Sequence, residues 1–132
     1  MNKDSIFVYS QEFLNYKFSE SHPFNQIRVE LTYDLLKKMN AIDESQVIAP
    51  RLATDAELEL FHDPKYINAV KLAGQGKLEK EIGLNYGLGT EDTPIFQNMH
   101  EASALLVGGT LTAVDYVLSG KVKHALSLGG GL

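Results

Sequence analysis

Two short apolar runs near the ends of the chain constrain its fold more than any other feature. They are Ile6–Tyr9 (Ile-Phe-Val-Tyr) and Ala125–Leu128 (Ala-Leu-Ser-Leu). A strand with one wet face alternates polar and apolar residues, and neither run does so cleanly. Such strands are covered on both faces, which points to a mainly parallel sheet flanked by helices. A third short strand, Val47–Ile48 with Ala49, is stopped by Pro50. The helical stretches between these runs make the expected class α/β.

The clearest helix is Phe24–Met39. Projected at about 100° per residue, Phe24, Ile27, Leu31, Leu35 and Met39 form one stripe, the expected buried face, with Glu30, Asp34, Lys37 and Lys38 mostly away from it. Arg28 lies only about 30° from the stripe's centre by the same projection. Either its stem runs past the core edge to water, or its guanidinium points into a polar cavity. A guanidinium cannot shed its charge, so that cavity needs carbonyls, a carboxylate or an anionic ligand.

Thr54-Asp55-Ala56-Glu57 fits a capping box and predicts a short helix over Asp55–Phe61. Asp63-Pro64 reads as N-cap plus first helical residue of a helix that runs to about Ala73 and stops at Gly74. His62, between the two, reads as a turn or capping residue. Gly74–Thr90 reads as an irregular excursion held by Leu84, Tyr86 and Leu88. A long helix is expected from about Pro94 to Leu118, with a break near Met99 and an apolar face including Ala102, Leu105, Leu106, Gly109 and Ala113. His100 on it reads as a core-edge or surface residue. Gly108-Gly109 in its middle costs about 1 kcal/mol per glycine relative to alanine, so another backbone is expected to pack close there. Asp92, two residues before Pro94, reads locally as a helix cap.

Composition excludes several classes. The chain has 132 residues, 44% hydrophobic and 22% charged, the profile of one globular domain rather than a disordered chain. Twelve basic against seventeen acidic side chains give a net charge of −5, which disfavours a nucleic-acid surface. Cysteine is absent, which removes disulfides, thiolate metal sites and a cysteine nucleophile from this stretch. The apolar runs read as too short and interrupted to span a bilayer, and the first ten residues do not form a secretory signal. A cytosolic protein without membrane contact is the expectation. The closing Gly129-Gly130-Gly131 meets neither phosphate-loop spacing. His22, His62, His100 and His124 show no metal-ligand spacing, and no GxSxG elbow is present.

Taken together, five segments resemble the N-terminal third of the zinc-dependent histone deacetylase family. They are His22-Pro23 followed by Arg28; Ala53-Thr54 with Phe61-His62-Asp63-Pro64-Lys65-Tyr66-Ile67; Gly89-Thr90-Glu91-Asp92-Thr93-Pro94-Ile95-Phe96; Val107-Gly108-Gly109; and Leu128-Gly129-Gly130-Gly131-Leu132. The likeness is greatest to the family's bacterial acetoin-utilisation branch. It implies residues 1–132 of a single arginase-deacetylase domain, incomplete in this stretch. By that pattern the catalytic histidine pair, the zinc ligands (two aspartates and a histidine) and a carbonyl-polarising tyrosine all follow Leu132. Residues 1–132 alone are then expected to be inactive and to hold no metal.

Some roles carry over by resemblance. Asp92 matches a rim aspartate that accepts hydrogen bonds from the backbone of an acyl-lysine substrate. Arg28 matches an arginine of an internal cavity beneath the zinc, and Gly130, Gly131 and Leu132 match its wall. His22, Pro23 and Glu91 match rim positions. The implied chemistry is amide hydrolysis, with zinc activating water and carbonyl and a histidine taking the proton. The implied partner is an acetylated protein, acetyl-CoA synthetase in the acetoin-utilisation branch. Two other readings stay open: a non-catalytic partner-binding module, and an arginase-fold amidohydrolase such as a polyamine deacetylase. An incomplete sheet is also expected to expose an apolar edge and self-associate.

Overall fold

The computed structural model describes residues 4–130. Gly131 and Leu132, two of the expected cavity positions, lie outside them. In chain order the elements are β1 (Ser5–Val8), α1 (Ile27–Lys38), β2 (Val47–Ile48), α2 (Asp55–Leu58), α3 (Pro64–Gly74), α4 (Lys80–Asn85), α5 (Met99–Leu118) and β3 (His124–Ser127). Short 3-10 turns occupy Gln11–Asn15 and Glu44–Gln46. The three strands form one parallel sheet in the order β2-β1-β3, with Phe7 beside Val47 and Leu126.

β1 is central, and Ile6, Phe7, Val8 and Tyr9 are all buried, as a doubly covered strand requires. Gly109 of α5 abuts Ser127, which pairs with Val8, so α5 covers the face that carries Ile6 and Val8. On the other face Tyr33 of α1 stacks on Tyr9 and Phe7, with ring centroids 4.0 and 6.0 Å away. β3 departs from expectation. It forms one edge of the sheet, its residues alternate exposed and half-buried, and Leu126 is 48% exposed.

The α1 stripe is also corrected. Ile27, Leu31, Leu35 and Met39 are exposed, while Gln26, Val29, Tyr33 and Leu36 face the sheet. The buried row lies about 160° round the helix from the expected one by the same projection. Both rows are apolar, and the sheet takes the one bearing Val29 and the tyrosine that can stack on Phe7 and Tyr9.

Caps follow the sequence closely. Thr54 and Glu57 form the capping box of α2, and the Asp63 carboxylate accepts from the Lys65 amide at the start of α3. α2 is shorter than expected and ends at Leu58. α3 ends at Gly74, but Gly76, at φ +70°, takes the left-handed turn. Gly74 instead admits a neighbour: a Cβ there would sit 3.0 Å from the Met99 nitrogen. The stretch read as irregular contains α4, where buried Gly83 lets the Leu88 carbonyl approach.

α5 begins at Met99 rather than Pro94, after Asn98 in the left-handed conformation (φ 59°). Its paired glycines do what their cost implied. A Cβ at Gly108 would lie 1.7 Å from the Arg51 carbonyl oxygen, and the Ala53 amide donates to the Ala104 carbonyl at 3.0 Å. By length and composition α5 is apolar enough to cross a membrane, contrary to the reading of the bare sequence. Its placement is that of a core helix, packed on β1, β3 and α3.

Candidate cleft at the strand ends

The loops that leave the carboxyl ends of β1 and β3 meet above the sheet, where ligands bind in open α/β folds. They border a cleft of about 640 Å³ lined by Phe18, Phe24, Phe96, Leu106, Gly129 and Gly130, among others. Its aromatic wall is a mesh of edge-on contacts. Tyr16 lies 5.5 Å from Phe18 and 5.2 Å from Phe96, and Phe18 lies 5.6 Å from Phe96, centroid to centroid. Burial raises the Tyr16 phenol above its ordinary pKa.

His22 packs behind this wall and does not itself line the cleft. Its ring packs against Phe18 at 4.5 Å, and its Nδ1 accepts from the Phe24 amide at 3.0 Å. It shapes the loop; Pro23 beside it is exposed. His62 and His100 do line the cleft. His62 packs between Phe61 and Tyr66, and the Nε2 of half-buried His100 lies 3.7 Å from Asp55 Oδ1. The Lys71 ammonium bonds the same carboxylate and holds the Asp55 pKa below its usual value. Among the described residues no three histidine or acidic side chains converge to hold a metal.

Glu91 and Asp92 are exposed on the loop before Thr93, a lining residue. The turn is tied by Thr90, whose hydroxyl oxygen accepts from the Thr93 amide at 3.0 Å. Residues 94–98 are not helical, so Asp92 caps nothing, and its carboxylate has no hydrogen-bond partner among the described residues. The local reading of Asp92 as a helix cap therefore fails.

A second, smaller recess of about 240 Å³ opens beside the cleft and shares Phe24 and Gly130 with it. Arg28, Gln26, Thr32, Val29 and Leu128 complete its lining. Arg28 is exposed, lies over the Phe24 ring at 5.2 Å, and donates from Nε to the Asn25 carbonyl at 3.2 Å. Gly130 takes φ +104°, where side chains are strained, and has open space where a Cβ would stand. The structure thus gathers Arg28 and Gly130 at one recess, with His22 packed behind the adjoining wall, against Phe18.

The chain as a whole has known counterparts. The profile of the histone deacetylase domain matches residues 22–132. The chain belongs to the histone deacetylase family. It is 61% identical over 98% of its length to an acetoin utilization protein AcuC of Bacillus subtilis, and 44% identical over 97% to one of Staphylococcus aureus. It covers 34% and 33% of those proteins. A crystal structure of an HDAC homolog from Aquifex aeolicus matches 98% of the chain with TM-score 0.85 and 31% identity. A second, of an HDAC homolog complexed with SAHA, gives TM-score 0.86. The chain spans 34% of each. The deacetylase family therefore supplies the fold seen here, in about a third of its relatives' length.

Residue-by-residue reading misses two parts of this candidate site. One is Gln26, buried at the recess, which a helical projection places opposite the expected stripe. The other is the aromatic wall, because Tyr16, Phe18, Phe24 and Phe96 have no common period and meet only when loop and helix termini fold together.

Proposed function

We propose that this chain is the N-terminal part of a zinc-dependent protein lysine deacetylase of the cytosol, serving acetoin utilisation by deacetylating acetyl-CoA synthetase. Asp92 carries the reading: an exposed carboxylate with no structural duty, next to a residue that lines the cleft. Such an acceptor can hold backbone N–H groups of a bound acyl-lysine segment at the cleft mouth. Glu91, His22 and Pro23 shape that rim. Arg28 and Gly130 line a recess on the inner side; the family resemblance extends that role to Gly131 and Leu132, outside the described residues. On this reading the zinc ligands and the catalytic histidines lie in the remainder of a longer parent, and residues 1–132 alone are inert.

The full-length parent is expected to release acetate from an acetyl-lysine peptide and from acetylated acetyl-CoA synthetase, with loss of turnover under chelation. Asp92→Ala in that parent lowers kcat/KM at least tenfold, as loss of a charge-assisted pair implies, while its melting temperature holds. A parent with no such turnover, or an Asp92→Ala loss matched by melting, overturns the reading. Polyamine acetyl amides, run in parallel, report the alternative substrate class.

The exposed row Ile27, Leu31, Leu35 and Met39 with Leu126 supports a second reading, of a stretch that binds through these faces. We propose that the rest of the parent covers them and that isolated residues 1–132 self-associate there. A monodisperse, cooperatively melting monomer of 1–132 would instead favour a free-standing module.

A further inference from the structure

A second set of rings borders the cleft, apart from the wall of Tyr16 and Phe96. Four of them form a ladder across the turn after α2, the first turn of α3 and the end of α4. Phe61 lies 5.0 Å from His62, His62 5.3 Å from Tyr66, and Tyr66 6.0 Å from Tyr86, centroid to centroid. His62 and Tyr66 line the cleft, while Phe61 and Tyr86 carry the ladder beyond that lining, 88% and 38% exposed. The Tyr86 end adjoins the turn that bears Asp92, because the Thr93 hydroxyl donates to the Gly87 carbonyl at 2.5 Å. Elsewhere the chain covers ring faces with its own cations: Arg28 over Phe24 at 5.2 Å, Lys37 over Tyr33 at 5.5 Å and Lys121 over Tyr116 at 5.0 Å. Among the described residues no cation lies over any ladder ring, Lys65 beside Tyr66 included, and the Tyr66 and Tyr86 hydroxyls bond nothing. Exposed carboxylates flank both ends, Glu59 before Phe61 and Glu91 with Asp92 after Tyr86, and none of the three is in an ion pair among those residues.

We infer that this ladder is the docking surface for the substrate segment that flanks the acyl-lysine, and that it selects an arginine or lysine beside that residue. Open ring faces seat a guanidinium or ammonium by cation–π attraction. The carboxylates at both ends favour the same positive charge and set the partner's sign. Rings have few torsions to freeze, so covering them costs little entropy. The occupant is an extended, basic stretch of polypeptide: a chain held by its backbone at Asp92 passes directly onto Tyr86 and Tyr66. The inference rests on the deacetylase reading, which puts an acyl-lysine in the cleft, and goes further by naming the neighbours that this lysine must have.

The test uses the full-length parent and three acetyl-lysine peptides that differ only in the residues on either side of that lysine: arginine, alanine or glutamate. The arginine peptide is expected to have a kcat/KM about fivefold above the alanine peptide, the effect of one exposed cation–π contact, with the glutamate peptide lowest. Tyr86→Leu keeps an apolar side chain but removes the ring face, and lowers that ratio to about two or less. Tyr86→Phe restores it. A purely structural Tyr86 would instead lower turnover of all three peptides by one factor, along with the melting temperature, and that result overturns the inference. So does a wild-type parent that treats the three peptides alike. Binding of fluorescein-labelled forms of the same peptides, read by anisotropy, separates this inference from the function. Arginine-selective binding that Tyr86→Leu abolishes, in a parent without turnover, keeps the docking surface and sinks the deacetylase reading. Turnover indifferent to the flanking residues does the reverse.

Discussion

Helices α5 and α1 cover opposite faces of the same three strands and are held in different ways. α5 is fastened by close backbone approach, with Gly108 under the Arg51 carbonyl and Gly109 under Phe13 and Ser127. α1 is fastened by a side-chain stack, Tyr33 on Tyr9, and turns a second apolar row outward with exposures of 44–66%. A glycine contact permits one rotation of the helix, because any other puts a side chain into backbone. An aromatic stack between two apolar rows permits a choice, and tertiary packing makes it.

The largest expected effect breaks α5. Gly108→Ala puts a methyl into a carbonyl that cannot move without shifting the 51–53 segment, so destabilisation of about 3 kcal/mol or more is expected. Denaturant unfolding checks it. Tyr33→Ala comes next, at about 2–3 kcal/mol, from loss of a stacked, half-buried aromatic. Gly109→Ala follows at about 1–2 kcal/mol, since the Phe13 ring and Ser127 hydroxyl it meets, each 2.9 Å from the built Cβ, are side chains rather than backbone.

A smaller effect tests the charged clamp that ties the 51–53 segment to α5. Arg51 donates to the Glu57 carboxylate at 2.8 Å and to Asp115 at 2.9 Å. That pairing, with the Thr54 amide, lowers the Glu57 pKa to about 2. A depressed carboxylate stabilises the fold above its unfolded pKa, near the ordinary value of 4.5, and loses that contribution as pH falls through 2. Melting temperature should therefore decline between those values, and Glu57→Gln should flatten this part of the profile. The smallest effect is Leu31→Ser, expected within about 0.5 kcal/mol for monomeric residues 1–132, at concentrations too dilute for self-association, because the side chain is 59% exposed. If Leu31→Ser destabilises this stretch more than Tyr33→Ala does, α1 faces the sheet with its other row and the comparison with α5 collapses.

Much of the local structure was legible. The Thr54–Glu57 box, the Asp63-Pro64 start and the close approach at Gly108-Gly109 each depend on residues within a few positions or on a backbone cost that needs a reason. The rim role proposed for Asp92 rests on family likeness and on its exposed, unpaired carboxylate. Its local pattern, an acid just before proline, argued for a cap, and the helix it would cap starts seven residues later. Gln26 was not legible, since nothing local marks an amide as buried and unpaired.

By itself, the sequence determined that the apolar run of β1 must be covered on both faces, that the chain is α/β, and where α2 and α3 start. Those outcomes follow from backbone hydrogen bonding and side-chain period, which act over a few residues. The tertiary structure alone decided which apolar row of α1 meets the sheet, that β3 is an edge, and that Arg28, Gln26 and Gly130 share a recess. Each of these is settled by contacts between residues far apart in the chain, where shape and stacking choose between alternatives that local chemistry leaves nearly equal.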